Sequence, residues 1–340
     1  MKRKPSLKDI AKEVGVSIPL VSYVLSDKGK ENRVSEQTAK RIREVAAAMN
    51  YQPNLNARSL KTNKTRTIGL IVADISNPFF ATLARVIEDE AYTRNYTVIF
   101  GSSDENVDKF EKVLRFLETR QVDGFIIAAP DGSEAMLRQL WDNTTPLVLV
   151  DRYFKGFDAP HVIVDNFNAS VQATNYLIGK GHERIACICY QSNLDHYADR
   201  RRGFVTAMKD HGVATAENLV TEVSHVSLKS DMKEAIRTII VQENIRAIYF
   251  QTNTLAEEGL RQLMNLGRDL LNETDVVVFD QNSTYHFLEN FIPYMKQPIK
   301  RMGQKSVEIL IDQIEKADKE VVGHEFETKL KAGKAVPEEG

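Results

Sequence analysis

Two cysteines in 340 residues, Cys187 and Cys189, exclude a disulfide framework and are too few ligands for a structural metal site. They alternate along "RIACICY", an apolar run that reads as a strand, so their side chains share one face. That is a poor geometry for a mutual disulfide, and buried thiols in a cytoplasmic protein are the expectation. The seven histidines are scattered without ligand spacing, so no metal and no other cofactor is expected. A run of about 18 apolar residues, the minimum for a spanning helix, is absent. The start "MKRKPSLKDI" is basic but has no apolar segment behind it, so no secretory signal peptide is expected. Glycine-rich phosphate loops, a Ser-His-Asp order and metal clusters are missing too, which leaves an enzyme little to work with.

Charge is ordinary in total and uneven in placement. The chain is 42% apolar, 27% charged and carries a net −2. Residues 1–66 hold 15 Lys and Arg against 6 Asp and Glu, while the remaining 274 hold 30 against 41. A basic head on an acidic body points to a polyanion as the partner of the head alone. The length suits two or three domains.

In the head, "SLKDIAKEVGVSIPLVSYVLS" carries two short helical patterns and a tight turn. Ser6 can cap the first helix with Asp9 in capping-box position, and Ile10, Ala11 and Val14 share a face. Gly15 gives the permissive backbone of a turn, and Ser17 can cap the second helix. Val21 and Leu25 then face the first helix, and Ile18, Pro19 and Tyr23 point outward. Pro19 falls in the first turn, where its missing N–H costs little. A third amphipathic helix is expected from about Ser35 to Asn50, with Ala39, Ile42, Val45 and Ala46 inside and Lys40, Arg41 and Arg43 mostly outside. Three short helices with a positive balance fit a helix-turn-helix, or a helical bundle used for dimerisation.

The segments that follow decide between them. "YQPNLNARSLKTNKTRTIGLIVADISNPFF" resembles the hinge and core start of the lactose-repressor (LacI/GalR) family of bacterial transcription regulators, through Tyr51-x-Pro53-Asn54, Ala57-Arg58-x-Leu60, "TIGLIV" and "NPFF". The resemblance continues through "VDGFII", "PLVLVDR", "VDN", "GHERIACI", "RRRGF", "VVVFD" and "QPIKRMG", nearly the whole chain. It implies that Ile18, Pro19 and Tyr23 read the major groove, with Ser17 and Ser22 suited to phosphate. Pro19 presents an apolar ring to a thymine methyl, and Tyr23 stands where the family's usual residue is arginine. The loop "SDKGKEN" is longer than the family's connection and offers Lys28 and Lys30 as further phosphate contacts. The hinge, Asn54 to Lys61, is only about two turns and too short to be stable alone. The resemblance implies that Asn54, Ala57, Arg58 and Leu60 engage DNA when the hinge pairs with its twin, Leu60 as an apolar wedge in the minor groove.

From Thr67 onward, "TIGLIVADI", "YTVIFGSSD", "VDGFIIAAP", "PLVLVDR", "HVIVDN", "RIACICYQS", "AIYFQTN" and "DVVVFDQ" alternate with helical patterns. Unbroken apolar runs fit parallel strands buried on both faces, and so many strands divide naturally into two lobes. The runs end in Asp74, Ser102, Asp151, Asp165, Gln191, Asn253 and Asp280, where open α/β sheets bind ligands. About half of these polar ends are expected only to cap the following helix. A cleft of carboxylates and amides suits a polyol. By resemblance, Asn77, Phe79 and Phe80 border the effector pocket, Arg200 anchors the effector with forked hydrogen bonds, and Asp280 is a pocket carboxylate. At "FQTNTLA", Thr252 and Asn253 take the places of the family's Asn-Asp, so a neutral amide replaces a carboxylate. The tail "KLKAGKAVPEEG" is expected to fray.

The expected fold is therefore α/β, with an all-α helix-turn-helix DNA-binding domain before a two-lobed, doubly wound effector domain like a periplasmic binding protein. The boundaries expected are 1–50 for the DNA-binding domain, 51–66 for the hinge helix and linker, and 67–340 for the effector and dimerisation core. Within the core, the N-lobe takes about 67–165 plus 297–322 and the C-lobe about 166–296. A cytoplasmic homodimeric regulator of a carbohydrate-utilisation operon is expected, most simply a repressor, with operator DNA and a sugar or sugar derivative as partners. DNA-binding residues are Ser17, Ile18, Pro19, Ser22, Tyr23, Lys28, Lys30, Asn54, Ala57, Arg58 and Leu60. Effector residues are Asn77, Phe79, Phe80, Asp151, Arg200, Asn253 and Asp280. A purine-responsive or protein-corepressor-dependent regulator is the alternative. A carboxylate-based glycoside-processing enzyme would leave the basic head unexplained.

Overall fold

The computed structural model describes residues 5–26, 29, 31–51, 64–282, 285, 291–316 and 323–333. Two compact units divide the chain, Met1–Thr65 and Arg66–Gly340. No helix among the described residues is long and apolar enough to cross a membrane.

The first unit is built on α1 (Leu7–Val14), α2 (Ile18–Leu25) and α3 (Glu36–Ala48). Both the N–H and the hydroxyl of Ser6 donate to Asp9 Oδ2, at 2.8 and 2.6 Å, which closes the capping box. Gly15 ends α1 in the left-handed region at φ 78°, which a side chain would strain, and its N–H donates to the Ala11 carbonyl. Ser17 stands at the N-cap of α2, but its side chain makes no capping bond. Ser35 caps α3 by accepting from the Thr38 N–H at 3.2 Å. Ile10, Ala11, Val21, Val24, Ala39, Ile42 and Ala46 form the core. Val24, not Leu25, is the fully buried residue late in α2; Leu25, like Val14 and Val45, is half-buried at the edge of that core.

Twelve strands are described in the second unit. In order they are β1 (Thr67–Val72), β2 (Thr97–Ser102), β3 (Gly124–Ile127), β4 (Leu147–Val150), β5 (His161–Val164), β6 (Ala186–Tyr190), β7 (Val220–Val223), β8 (Ala247–Phe250), β9 (Asp275–Phe279), β10 (Tyr294–Lys296), β11 (Gly323–Phe326) and β12 (Lys329–Lys331). One sheet runs β11-β5-β4-β3-β1-β2 and the other β12-β10-β9-β8-β6-β7. Every pairing is parallel except β10 with β12. The same winding therefore occurs twice, with a switch point beside the first strand of each sheet.

Helices α4 (Pro78–Thr93), α5 (Val107–Thr119), α6 (Glu134–Asp142) and α12 (Ile299–Lys316) belong with the first sheet. With the second go α7 (Asn166–Gly179), α8 (Asp195–Asp210), α9 (Leu228–Arg237), α10 (Asn253–Leu266) and α11 (Arg268–Asn272). In α4 the stripe Phe79, Phe80, Leu83, Ile87 and Ala91 is buried, a helical spacing that turns one face to the sheet. Truncating one such residue, Leu83, to alanine costs about 2–5 kcal/mol of stability in a packed core.

All eight apolar runs form strands. Four strands did not announce themselves: β7, β10, β11 and β12. The first and last of these lie on sheet edges and are only partly buried, so "VTEV" and "KLK" lack a continuous apolar signal. The expectation that the tail frays from Lys329 is thus corrected, because Lys329–Lys331 pairs with β10. Cys187 and Cys189 are buried free thiols on β6.

Candidate functional site

On the head, Ile18 is 43% and Tyr23 39% exposed although both are apolar or aromatic, and Pro19 and Ser17 are exposed beside them. Ser22 is half-buried, and Lys40, Arg41 and Arg43 of α3 are exposed. Ile18, Pro19 and Tyr23 thus leave an apolar patch of α2 open to water, and α3 carries exposed cations. Lys28, Lys30, Asn54, Ala57, Arg58 and Leu60 lie outside the described residues.

In the second unit, the carboxyl ends of both sheets border a cavity of about 600 Å³. All seven effector candidates, Asn77, Phe79, Phe80, Asp151, Arg200, Asn253 and Asp280, line it. Of the other polar strand ends, Asp74 lines it too, whereas Asp165 caps α7 by accepting from the Asn168 N–H. Ser102 and Gln191 stand outside the cavity, the former donating to Asp104. A second hollow of about 540 Å³, near the start of β9, is lined by Tyr176, Lys180, Asp275 and Phe291 and by none of the seven.

Local backbone geometry sets the positions of these side chains. Asn77 caps α4 by accepting from the Phe79 N–H at 3.0 Å, which turns its amide toward the opposite lobe. There it exchanges two hydrogen bonds with Asn253: Asn77 Nδ2 donates at 3.1 Å and Asn253 Nδ2 returns one at 2.9 Å. Thr252 caps α10 and so fixes Asn253 in its first turn. Further bonds between the lobes run from the Asn193 N–H to Asp131 and from the Lys155 N–H to Asp195, both at 2.8 Å. Phe79 and Phe80 meet edge to face, with centroids 5.0 Å apart.

Arg200 is 3% exposed and its guanidinium carbon lies 3.4 Å from the Phe279 ring centroid. Its Nε donates to Asn166 and its Nη1 to the Gln251 carbonyl, each at 2.8 Å. Nη2 makes no hydrogen bond among the described residues. The glycine three residues on has a packing reason, since a Cβ on Gly203 would come within 2.3 Å of the Phe167 carbonyl oxygen. Helix α8 can lie against α7 only without that atom, and this approach brings Arg200 to Asn166.

Asp151 and Asp280 follow β4 and β9, equivalent strands of the two lobes, and both adopt positive φ, 67° and 81°. Aspartate tolerates that region better than most residues, and each turn aims a carboxyl across its strand end. Burial raises both carboxyls above their ordinary range. Asp280 is pushed up to about 7 by burial, in spite of the Arg200 charge and a 2.7 Å hydrogen bond from Gln297.

Among the cavity residues that escaped the sequence are Glu105, Arg152, His196 and Tyr197. Arg152 is 2% exposed; its Nη1 donates to Glu105 Oε2 at 2.7 Å and its Nη2 to Glu105 Oε1. Burial pushes the Glu105 carboxyl up, and the Arg152 charge more than offsets this, holding it below its ordinary value. His196 is buried and makes close ring contact with Tyr197, with no partner for Nδ1 among the described residues. Burial first, then the charges of Arg200 and Arg152, keep its pKa well down, so it is neutral near pH 7. The only hint available in the sequence was Arg152 directly after Asp151 in "VDR". Among the described residues no cluster of His, Cys, Asp and Glu could hold a metal ion.

Two largely parallel sheets with a polar cleft at their carboxyl ends, preceded in the chain by a three-helix head, give the architecture of a DNA-binding regulator with a periplasmic-binding-protein-like domain. Residues 65–329 match periplasmic binding proteins and the sugar-binding domain of the LacI family, and residues 6–54 match bacterial regulatory proteins of the lacI family. The chain belongs to the LacI family of DNA-binding transcriptional regulators. It is 34% identical over 320 residues to the transcriptional regulator RegA of Clostridium acetobutylicum, covering 93% of this chain and 94% of the relative. To the transcriptional repressor PurR of Aliivibrio salmonicida it is 30% identical over 313 residues, covering 91% and 92%. The crystal structure of a LacI family regulator from Enterococcus faecium with bound ribose superposes with a TM-score of 0.68 at 25% identity, covering 78% of this chain and 97% of that one.

Proposed function

We propose that this chain represses a carbohydrate-utilisation operon, binding a palindromic operator as a homodimer and released or retained by a sugar or sugar derivative in the inter-lobe cleft. The observation that carries the reading is the composition of the cleft: aromatic faces from Phe79 and Phe80, with Asp151, Asp280, Arg200 and the Asn77–Asn253 pair around them. Stacking surfaces with acceptors and donors on all sides recognise a ring bearing hydroxyls. An effector that prefers one arrangement of the lobes shifts their equilibrium by its difference in affinity. In a two-fold dimer that shift is carried to the hinges and so to the DNA-binding heads.

Ile18, Pro19 and Tyr23 read the major groove in this account, Ser17, Ser22, Lys28 and Lys30 meet phosphate, and Asn54, Ala57, Arg58 and Leu60 hold the minor groove. A purine effector is the second reading, favoured by the likeness to PurR. Melting temperatures of the full chain with sugars, sugar phosphates and purines separate the two, because a ligand of the native state stabilises in proportion to the logarithm of its concentration. For the DNA end, Leu60→Ala is expected to weaken operator binding far more than binding to random DNA. Equal losses on both would remove the wedge.

A further inference from the structure

The cleft holds both guanidinium groups and carboxyls, and their arithmetic bears on the ligand's charge. Asp74, Asp104, Glu105, Asp151 and Asp280 line it against Arg152 and Arg200. Asp104 is matched at the rim by Lys109. Arg152, which follows the β4 carboxylate, is nearly sealed from solvent and spends both terminal nitrogens on Glu105, with Nη1 also donating to the Ala129 carbonyl at 2.9 Å. Its remaining Nε lies 3.6 Å from Asp151 Oδ2. Arg200 spends two of its three nitrogens on Asn166 and Gln251.

We propose that Glu105 sets the ligand class of the cleft: by neutralising Arg152 it makes the site take an uncharged free sugar and reject the phosphorylated one. This rests on the sugar reading above and adds the charge to it. A phosphate brings roughly −1.5 to −2 charges and asks for forked donors that carry unbalanced positive charge. Here the Arg152 charge is already balanced, and Asp151 and Asp280 stand beside Arg200. A buried anion in that setting would lose its hydration for the attraction of Arg200 alone, which Asp151 and Asp280 weaken to the extent that they ionise. A neutral hydroxyl suits the donor that is open, the Nη2 of Arg200, and the buried His196 beside it, held neutral, adds no charge to attract an anion. Glu105 is thus a specificity residue that acts partly through Arg152.

The test uses the full chain and paired probes: ribose with ribose 5-phosphate, glucose with glucose 6-phosphate, fructose with fructose 1-phosphate, and inorganic phosphate and hypoxanthine alone. In the native protein at least one free sugar should raise the melting temperature, its phosphate ester should bind at least tenfold more weakly, and inorganic phosphate should do nothing at matched ionic strength. Glu105→Gln keeps the shape and removes the charge. It should gain a phosphate-dependent rise in melting temperature, which Arg152→Gln in the same background abolishes. A sugar phosphate that stabilises the native protein more than its free sugar overturns the proposal and leaves the sugar reading intact. Hypoxanthine as the sole stabiliser overturns both. A Glu105→Gln protein that melts cooperatively yet ignores phosphate also sinks the assignment.

Discussion

The two lobes of the core repeat one winding and fill it with different chemistry. In each, the fourth strand ends in an aspartate at positive φ, Asp151 after β4 and Asp280 after β9. Asp151 adjoins Arg152, whose charge is balanced inside its own lobe by Glu105. Asp280 has Gln297 and the partly engaged Arg200, and burial holds it near neutrality. The first lobe thus carries a closed ion pair with two phenylalanine faces, and the second an open donor with a carboxyl that titrates. The geometry of the cleft comes from the repeated fold, while the difference in chemistry between its two sides lies in residues just beyond the strands.

Breaking the second lobe's half should have the largest effect. Arg200→Ala is expected to lower effector affinity at least about 100-fold and abolish the ligand-induced rise in melting temperature, while operator affinity stays near normal. It also leaves Asn166 and the Gln251 carbonyl unpaired, at a cost of about 2 kcal/mol in stability. An unaltered ligand response would take Arg200 out of the site.

Next comes a pH contrast. The folded pKa of Asp280, about 7, lies above the ordinary carboxylate value, so the folded state binds the extra proton between them. Stability therefore falls as pH rises from about 4 to about 7 and is flat in this respect above that. Asp280→Asn should remove the slope and stabilise the protein at pH 8 by on the order of 3 kcal/mol. Denaturant titrations at several pH values check it, and parallel curves for the variant and the native protein would contradict it. The smallest effect belongs to the clasp between the lobes. A double-mutant cycle of Asn77→Ala and Asn253→Ala should return a coupling of about 1 kcal/mol, and additive effects would mean the amide pair contributes nothing.

How much of this could be read from the chain depends on where each signal lies. Strands buried on both faces, such as "GFII" and "LVLV", show as apolar runs, and their polar ends pointed to the cleft and to Asp151, Asn253 and Asp280, whereas Asn77, Phe79, Phe80 and Arg200 came from the family resemblance. Edge strands such as "VTEV" and "KLK" are half-solvated and leave no such trace. The Glu105–Arg152 pair was invisible for another reason. Its members lie 47 residues apart on the loops after β2 and β4, and only the order of strands in the sheet brings them together. Val24 was missed where Leu25 was favoured because adjacent apolar residues in a two-turn helix leave the phase of its buried face ambiguous.

In the proposed reading the cleft between the lobes holds an uncharged effector through Arg200. Its most direct test is the melting temperature of the full chain and of Arg200→Ala across a concentration series of free sugars. At least one sugar should raise the native melting temperature progressively and leave the variant's unchanged. Equal stabilisation of both proteins, or of neither by any sugar, would contradict it.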